Sequence, residues 1–478
     1  MKFLIRNYLL IITFFCFQIQ KHFINSKIIF VFEHVRHGTR TPPFDEDSTY
    51  IDQFGTQWEG DGELTAVGKR MHYVLGVHNR LKYSSLIDFT RLNTKEIKIF
   101  STNSIRTLRS LEAELHGMFL PRTGDKLLEN ELPIAFPPGK EFLSEEVLKE
   151  IENIDDNSTI INGINLFPIQ FYPDGKVFIN EPDHCPYMTE YRLELEKRIN
   201  KTLSEFMKDF DEKFGDKLKE YLNKPNKDFI YTYGSLIDVT DNFICNYDNG
   251  KDLSDFLTKT GFNKTLFYDY AKKVKEFYLF HLSSDQTAGI LGATPHMTDL
   301  INYMEKKIND ENKITYSEPK MVIQGGHDTT LNVILHFMNA AFNIPTEYIT
   351  FGSHIFFELH KEQKDDKSEY IVKYFYNGKL LLEKDFESFR KKVMETVWND
   401  EKIHNFCFKE GEEKNKRDNE SKKKDDNSTI ITILIITNIF AIILAIILAF
   451  LLCSYKKKAN SPPLVDINNE NLVEENKM

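Results

Sequence analysis

The stretch whose reading decides the fold is Lys27–Val35, KIIFVFEHV, which runs directly into Arg36-His37-Gly38-Thr39-Arg40-Thr41-Pro42. β-Branched and aromatic residues with little polar interruption predict a buried strand that ends at His37-Gly38. The polar heptapeptide therefore emerges at a strand's carboxyl end. Lys98–Ser101, KIFS, reads as a second short strand, with a helix over Ile105–Phe119 stopped by Pro121. Lys320–Gln324, KMVIQ, reads as a third, with Gly325-Gly326 as the turn and a helix over Thr329–Ala341. Leu64–Lys82 has helical spacing, with Thr65 as N-cap and Val67, Met71, Val74, Leu75 and Leu81 on one apolar face. Recurring strand–helix units predict an α/β fold, a doubly wound three-layer sandwich around a largely parallel sheet, with ligands at the carboxyl ends of the strands.

Working outward, residues 133–290 change character. Lys- and Glu-rich helical segments such as Met188–Leu222 and Asp252–Leu282 carry interleaved aromatics. Because α/β elements resume afterwards, an inserted helical cap is expected within an α/β core of residues 27–132 and 291–408. Residues 409–428 are charged and lack large apolar side chains, as in a flexible stalk. Ile430–Cys453 is uncharged and apolar apart from Thr432, Thr437 and Asn438, which predicts a transmembrane helix over 429–454.

Lys2 and Arg6 precede the apolar run Tyr8–Phe17, the layout of a secretory signal over residues 1–22. Lysines flank the later span on both sides, so the signal decides orientation. A single-pass type I protein is expected, its large domain lumenal or extracellular and residues 455–478 cytosolic. Lysosomal, vacuolar and cell-surface membranes all fit. Asn157, Asn200, Asn263 and Asn419 are then glycosylation acceptors, while Asn427, abutting the membrane, stays unmodified.

A chain of 478 residues, 41% hydrophobic, can bury a large core. Its formal charge of −11 argues against a nucleic-acid partner, which would need a basic footprint, so any anion site must be local. Cys16 falls in the signal and Cys453 at the edge of the span. Of Cys185, Cys245 and Cys407, two can pair in an oxidising compartment, leaving one thiol. No two cysteines have a zinc-ligand spacing, so neither a metal nor a cofactor is expected.

The heptapeptide suits phosphoryl transfer. Arg36 and Arg40 offer planar donor forks matched to phosphate oxygens. His37 between them is disfavoured as imidazolium and stays a neutral nucleophile. Arg106 also follows a strand and opens a helix; Arg109, deeper in that helix, suits a solvated or salt-bridged role. His327-Asp328 lies at a third strand end and helix start, where free N–H groups and the helix dipole favour an anion. His327 can donate to phosphate. Asp328 is the one proton donor in these motifs, its alternative being a helix cap.

RHGTRTP, Leu64-Thr65-x-x-Gly68, STNSIRT and HDTT together resemble the histidine acid phosphatases of the histidine phosphatase superfamily, over roughly Ile28–Cys407. The resemblance implies a nucleophilic His37 that forms a phosphohistidine, phosphate held by Arg36, Arg40, Arg106 and His327, and Asp328 as acid. It also implies a Cys185–Cys407 disulfide, leaves Cys245 without its usual partner, and admits a homodimer through the core. Asn103 and Leu111 depart from the family pattern, where Asp and a small residue are usual. The expected activity is metal-independent hydrolysis of small phosphate monoesters. Two rivals are a phytase acting on inositol polyphosphates and an idle receptor ectodomain that keeps the fold.

Overall fold

The computed structural model describes residues 26–408 apart from 44–48, 138–142, 153, 155–156, 224–231, 284, 311–317 and 365–366. The expected signal, stalk, span, tail and Asn419 lie outside the described residues. Among those described, no helix is long and apolar enough to cross a membrane.

The strands are β1 (Ser26–Arg36), β2 (Thr49–Ile51), β3 (Gln57–Glu59), β4 (Ile97–Ser101), β5 (Gln170–Phe171), β6 (Met321–Gly326), β7 (His354–Lys364), β8 (Lys367–Tyr376) and β9 (Lys379–Asp385). Seven form one sheet in the order β5-β4-β6-β1-β7-β8-β9. β1 is central and buried from Ile29 to Arg36, as its apolar run requires. Its two faces meet different helices. Phe30 and Phe32 pack with Met297 and Leu300 of helix Gln286–Asp310 and with Leu331 and Ile334 of helix Asp328–Phe342. Val31 and Val35 pack with Leu111 and Leu115 of helix Ile105–Met118. Helices thus cover both faces of a mixed α/β sheet.

The sheet corrects the expectation of a largely parallel arrangement. β5, β4, β6 and β1 are parallel, but β1–β7, β7–β8 and β8–β9 are antiparallel. No helix separates β7 from β8 or β8 from β9, and a parallel neighbour needs such a crossover. Between β8 and β9 stands Asn377-Gly378, both at positive φ (46° and 78°), the two-residue hairpin turn whose twist suits the strands. Gly325-Gly326 is likewise the end of β6 rather than a turn.

Helix Ala66–Lys82 starts as expected, with Thr65 Oγ1 accepting from Gly68 N–H, but it buries the wrong face for the apolar reading. Its buried residues are Gly68, His72, Gly76 and Asn79, while Val67, Met71, Val74 and Leu81 are exposed. Close backbone approach decides this. A Cβ on Gly76 would lie 1.8 Å from Glu114 O, and one on Gly117 would lie 2.2 Å from Tyr73 O. Helix Ile105–Met118 therefore sits against glycines and a polar seam.

A further apolar core, apart from the two flanking β1, is built from helices of the 188–283 region: Phe210 and Leu218, then Leu236, Val239 and Phe243, then Phe256 and Phe267. Met188–Leu222 is not one uninterrupted α-helix, having a π-helical turn at Asp211–Gly215, and Asp252–Leu282 divides into Ser254–Thr260 and Lys264–Ser283. Phe54 and Trp58, around the β2–β3 hairpin, and Phe351, just before β7, also join this core. A disulfide between Cys185 and Cys407 ties the segment just before helix Met188–Phe210 to the last described helix, Asp400–Cys407. Asn157, Asn200 and Asn263 are all exposed.

Overpacking predicts that Gly76→Val lowers the unfolding free energy by about 3 kcal/mol or more in urea titration. Val74→Ala, at an exposed position of the same helix, should change it by less than about 0.5 kcal/mol.

Candidate active site

Strand register brings the motifs together. Val35 pairs with Gly325 and Arg36 with Gly326 across β1–β6, and Ser101 pairs with Gly325 across β4–β6. The residues that follow, His37, Thr102 and His327, leave the sheet side by side. His37 N–H donates to Gly326 O (3.0 Å), Arg36 N–H to Ser353 O (2.9 Å) and Gly352 N–H to His37 O (3.1 Å), so the peptide on each side of His37 is tied to two neighbouring segments. Gly38 then passes under the helix start: its N–H donates to Ser110 Oγ at 3.1 Å, and an added Cβ would meet Gly68 O at 2.5 Å.

His37 is buried, and its Nδ1 lies 2.8 Å from Gly38 O. A carbonyl only accepts, so Nδ1 carries the proton and Nε2 keeps its lone pair. Burial, and then Arg36, His327, Arg106 and Arg40, hold this imidazole well below its ordinary pKa. Its surroundings therefore favour the neutral imidazole. Phe351 packs on the same group: its ring, tilted to that of His37, has its centroid 5.7 Å from the imidazole and 4.1 Å from the Arg36 guanidinium.

The cations are held by specific partners. Arg36 donates to Ile349 O (2.9 Å) and pairs with Asp328 Oδ2 (2.9 Å). Arg40 donates to Thr41 O (3.0 Å), to Cys245 Sγ (3.5 Å) and to both oxygens of Asp241 (3.0 and 3.3 Å). Arg106, half-turned into the site, lies 3.5 Å from His327 Nδ1. Arg109 instead forms an exposed ion pair with Glu63, in keeping with its position deeper in the helix.

His327 has a different geometry from that expected of a free phosphate donor. Arginine only donates, so Nδ1 accepts from Arg106 and Nε2–H is directed to Thr102 Oγ1, 3.0 Å away. Burial and then Arg106 push its pKa down to about 4. Asp328 is the N-terminal residue of helix Asp328–Phe342, with Oδ1 accepting from Thr329 N–H at 2.9 Å. Burial acts to raise its pKa, but Arg36, then Lys275, reverse the effect and hold it far below the usual carboxylate range.

Two site residues come from the helices inserted between β5 and β6 and went unread in the sequence. Lys275 of helix Lys264–Ser283 places Nζ 3.3 Å from Asp241 and 3.6 Å from Asp328. Asp241 of helix Tyr233–Asp248 joins Lys275 to Arg40; burial opposes its ionisation, yet Arg40 and Lys275 push its pKa down to about 2. Arg36, Asp328, Lys275, Asp241 and Arg40 thus alternate in sign along one chain of contacts. Nothing in a lone Asp or Lys of a charged helical region marks it beforehand. Cys245, the thiol left over from the disulfide, is buried against Arg40, and burial pushes its pKa up to about 12. Leu111 packs on Gly325 at the end of β6. Among the described residues no His/Cys/Asp/Glu group could hold a metal ion.

Fold and site together define an α/β protein that gathers cationic side chains around one histidine at the strand ends. Residues 19–377 match the histidine phosphatase superfamily (branch 2), and the chain belongs to that family. Over 145 residues it is 30% identical to "Lysosomal acid phosphatase" of Xenopus laevis, covering 26% of this chain and 33% of that protein. Over 138 residues it is 36% identical to "Putative acid phosphatase 5" of Caenorhabditis elegans, covering 27% and 32% respectively. The matched stretch spans about a third of the length of these curated relatives. Phytases from Citrobacter braakii (TM-score 0.50, 14% identity, 78% of this chain and 98% of that one) and Klebsiella sp. ASR1 (0.52, 13%, 78% and 95%) share the fold.

Removing one member of a buried ion pair leaves the other uncompensated. Asp241→Leu, which strands Arg40 and leaves Lys275 with Asp328 alone, should cost about 3 kcal/mol or more in denaturant unfolding. Lys275→Met should cost less, because Asp328 keeps Arg36 and Asp241 keeps Arg40.

Proposed function

We propose that the chain hydrolyses phosphate monoesters by two in-line displacements at His37. The observation that carries this reading is the Nδ1–Gly38 O hydrogen bond, which leaves Nε2 with its lone pair on a buried imidazole that feels the charges of Arg36, Arg106 and Arg40. In the first step Nε2 bonds to phosphorus and the ester P–O bond breaks, with a proton passing from Asp328 to the leaving oxygen. In the second, water gives its proton back to Asp328 and displaces His37 from phosphorus. The arginines carry the charge on the equatorial oxygens. His327 acts as a neutral donor through its N–H once Thr102 yields it.

Asp328 sets the pH dependence. Arg36 and Lys275 keep it ionised, so it can serve as an acid only when the bound ester's negative charge offsets those cations and the medium is acidic. The acid limb therefore belongs to the enzyme–substrate complex. Simple monoesters fit better than inositol polyphosphates, which demand a basic rim, because the insert sets Asp241 and Asp248 beside the arginines. A receptor without chemistry has no use for the fixed His37 tautomer.

For the remainder of the chain, the reading is a helical cap over residues 133–290 and a lumenal or extracellular domain anchored by the 429–454 helix. The Cys185–Cys407 disulfide supports an oxidising compartment. Exposure of Asn157, Asn200 and Asn263 suits glycosylation there. An acidic, lysosome-like lumen accords with the proton requirement of Asp328.

His37→Ala should abolish hydrolysis while leaving the fold intact, and labelled phosphate should be trapped on denatured wild-type protein but not on the variant. Equal labelling of both would refute the nucleophile. Asp328→Asn should slow alkyl esters at least about tenfold more than nitrophenyl esters, whose leaving group needs no proton. On alkyl esters the wild-type rate should fall with rising pH; a rate that climbs steadily to pH 8 would exclude Asp328 as the acid.

A further inference from the structure

Behind the nucleophile, on the sheet face that carries helices Ala66–Lys82 and Ile105–Met118, lie three enclosed titratable groups that the proposed reaction does not use. Glu33 of β1 and Glu114 are both 0% exposed, and His72 is 1% exposed. The Asn79 amide donates to Glu33 Oε2 and to Glu114 Oε1, both at 3.0 Å. Glu114 Oε2 is 3.1 Å from His72 Nδ1, and His72 Nε2 is 3.1 Å from Arg36 O, the carbonyl of the peptide leading to His37. The contacts form one line from the interior to the nucleophile's backbone.

The donors along this line are fixed by chemistry. Arg36 O only accepts, so His72 Nε2 bears a proton. In a neutral imidazole Nδ1 must then accept, and its one partner there, Glu114 Oε2, must be a protonated carboxyl. If Glu114 ionises, its carboxylate demands a proton from Nδ1. A neutral His72 then changes tautomer and can no longer donate to Arg36 O.

We propose that Glu114 and His72 form a protonation-dependent positioning relay that holds the Arg36–His37 peptide in place when Glu114 is protonated and releases it when Glu114 ionises. The step balances: Glu114 O–H and His72 Nε2–H break, Nδ1–H forms, and one proton leaves to solvent. As a role in catalysis this rests on the hydrolase reading; as a property of the fold it does not.

The surroundings support the protonated form. Lys82 acts on Glu33 as a cation, but its ammonium lies 2.6 Å from Glu358, which also accepts from Tyr83 and faces His360. His354 faces His72 from β7 and adds no negative charge. Burial pushes Glu114 up to about 8 and His72 down to about 4, so the neutral pair is favoured over the ion pair. Burial, then Glu114, raises Glu33 well above its usual value. The sign follows: relative to an unfolded value of 4.5, Glu114 contributes stability fully present below that pH and lost as pH rises to about 8.

The test uses the full chain labelled with nitrogen-15 histidine, with His72→Gln assigning the signal. At pH 5 to 7 His72 should show a proton-free Nδ1 and a protonated Nε2, and the pattern should exchange near pH 8. Glu114→Gln, whose amide keeps donating, should hold the low-pH pattern throughout. Above pH 8, wild-type turnover of nitrophenyl phosphate should fall by about tenfold per pH unit, and the Gln variant should lack that fall. Between pH 4.5 and 8 the unfolding constant of wild type should rise more steeply than that of the variant, by about tenfold per pH unit.

A single His72 tautomer in folded wild type from pH 5 to 9.5 overturns the proposal, whether or not Glu114→Gln folds. An unchanged pH profile in a folded Gln variant overturns its positioning role. A tautomer exchange in a protein without phosphatase activity supports the relay and overturns the hydrolase reading instead.

Discussion

The register of β1, β4 and β6, three of the four parallel strands, is the constraint on which everything else rests. Pairing of Arg36 with Gly326, and of Ser101 with Gly325, makes β1, β4 and β6 end at one level. A slip of one residue would turn His37 away from His327 and reverse the faces of Phe32 and Val35 as well. The two apolar cores on either side of β1 therefore enforce the geometry of the site. Packing and chemistry are specified by the same alternation.

The insert then completes what the strand ends begin. Arginines gathered by the sheet would repel one another, and Arg106 does feel Arg40 in this way, its pKa lowered by burial first and by that arginine next. Asp241 offsets part of the repulsion and Lys275 links it to Asp328, so charges alternate from Arg36 to Arg40. Phe351 belongs to the apolar core of the insert while touching His37 and Arg36. Helices of the insert and the sheet ends consequently share one electrostatic unit.

This division explains what could be read in the sequence. The β1 run and the three polar motifs were legible because each is local: an apolar strand followed at once by residues whose chemistry is distinctive. Asn377-Gly378 is as local a signal for the β8–β9 hairpin, but it went unread and the sheet was expected to be largely parallel. The buried face of Ala66–Lys82 was not legible, since apolar periodicity points to Val67, Met71 and Val74 whereas Gly76 and Gly117 allow a close backbone approach that buries His72 and Asn79. Such packing depends on a partner helix. Asp241 and Lys275 were illegible for the same reason, being ordinary surface residue types until the tertiary fold brings them to Arg40 and Asp328.

Four buried carboxyls show how completely surroundings override residue type. Cations beside Asp241 and Asp328 hold their pKa values down, whereas burial among an amide, an imidazole and each other pushes those of Glu33 and Glu114 up. The two groups respond oppositely to pH. The contribution of Asp241 is present above its unfolded value of 3.8 and is lost as pH falls through about 2. That of Glu114 is present below 4.5 and is lost as pH rises to about 8. Both are substantially retained only in a mildly acidic window. The two kinds of carboxyl meet at Arg36, whose carbonyl faces His72 while its guanidinium pairs with Asp328.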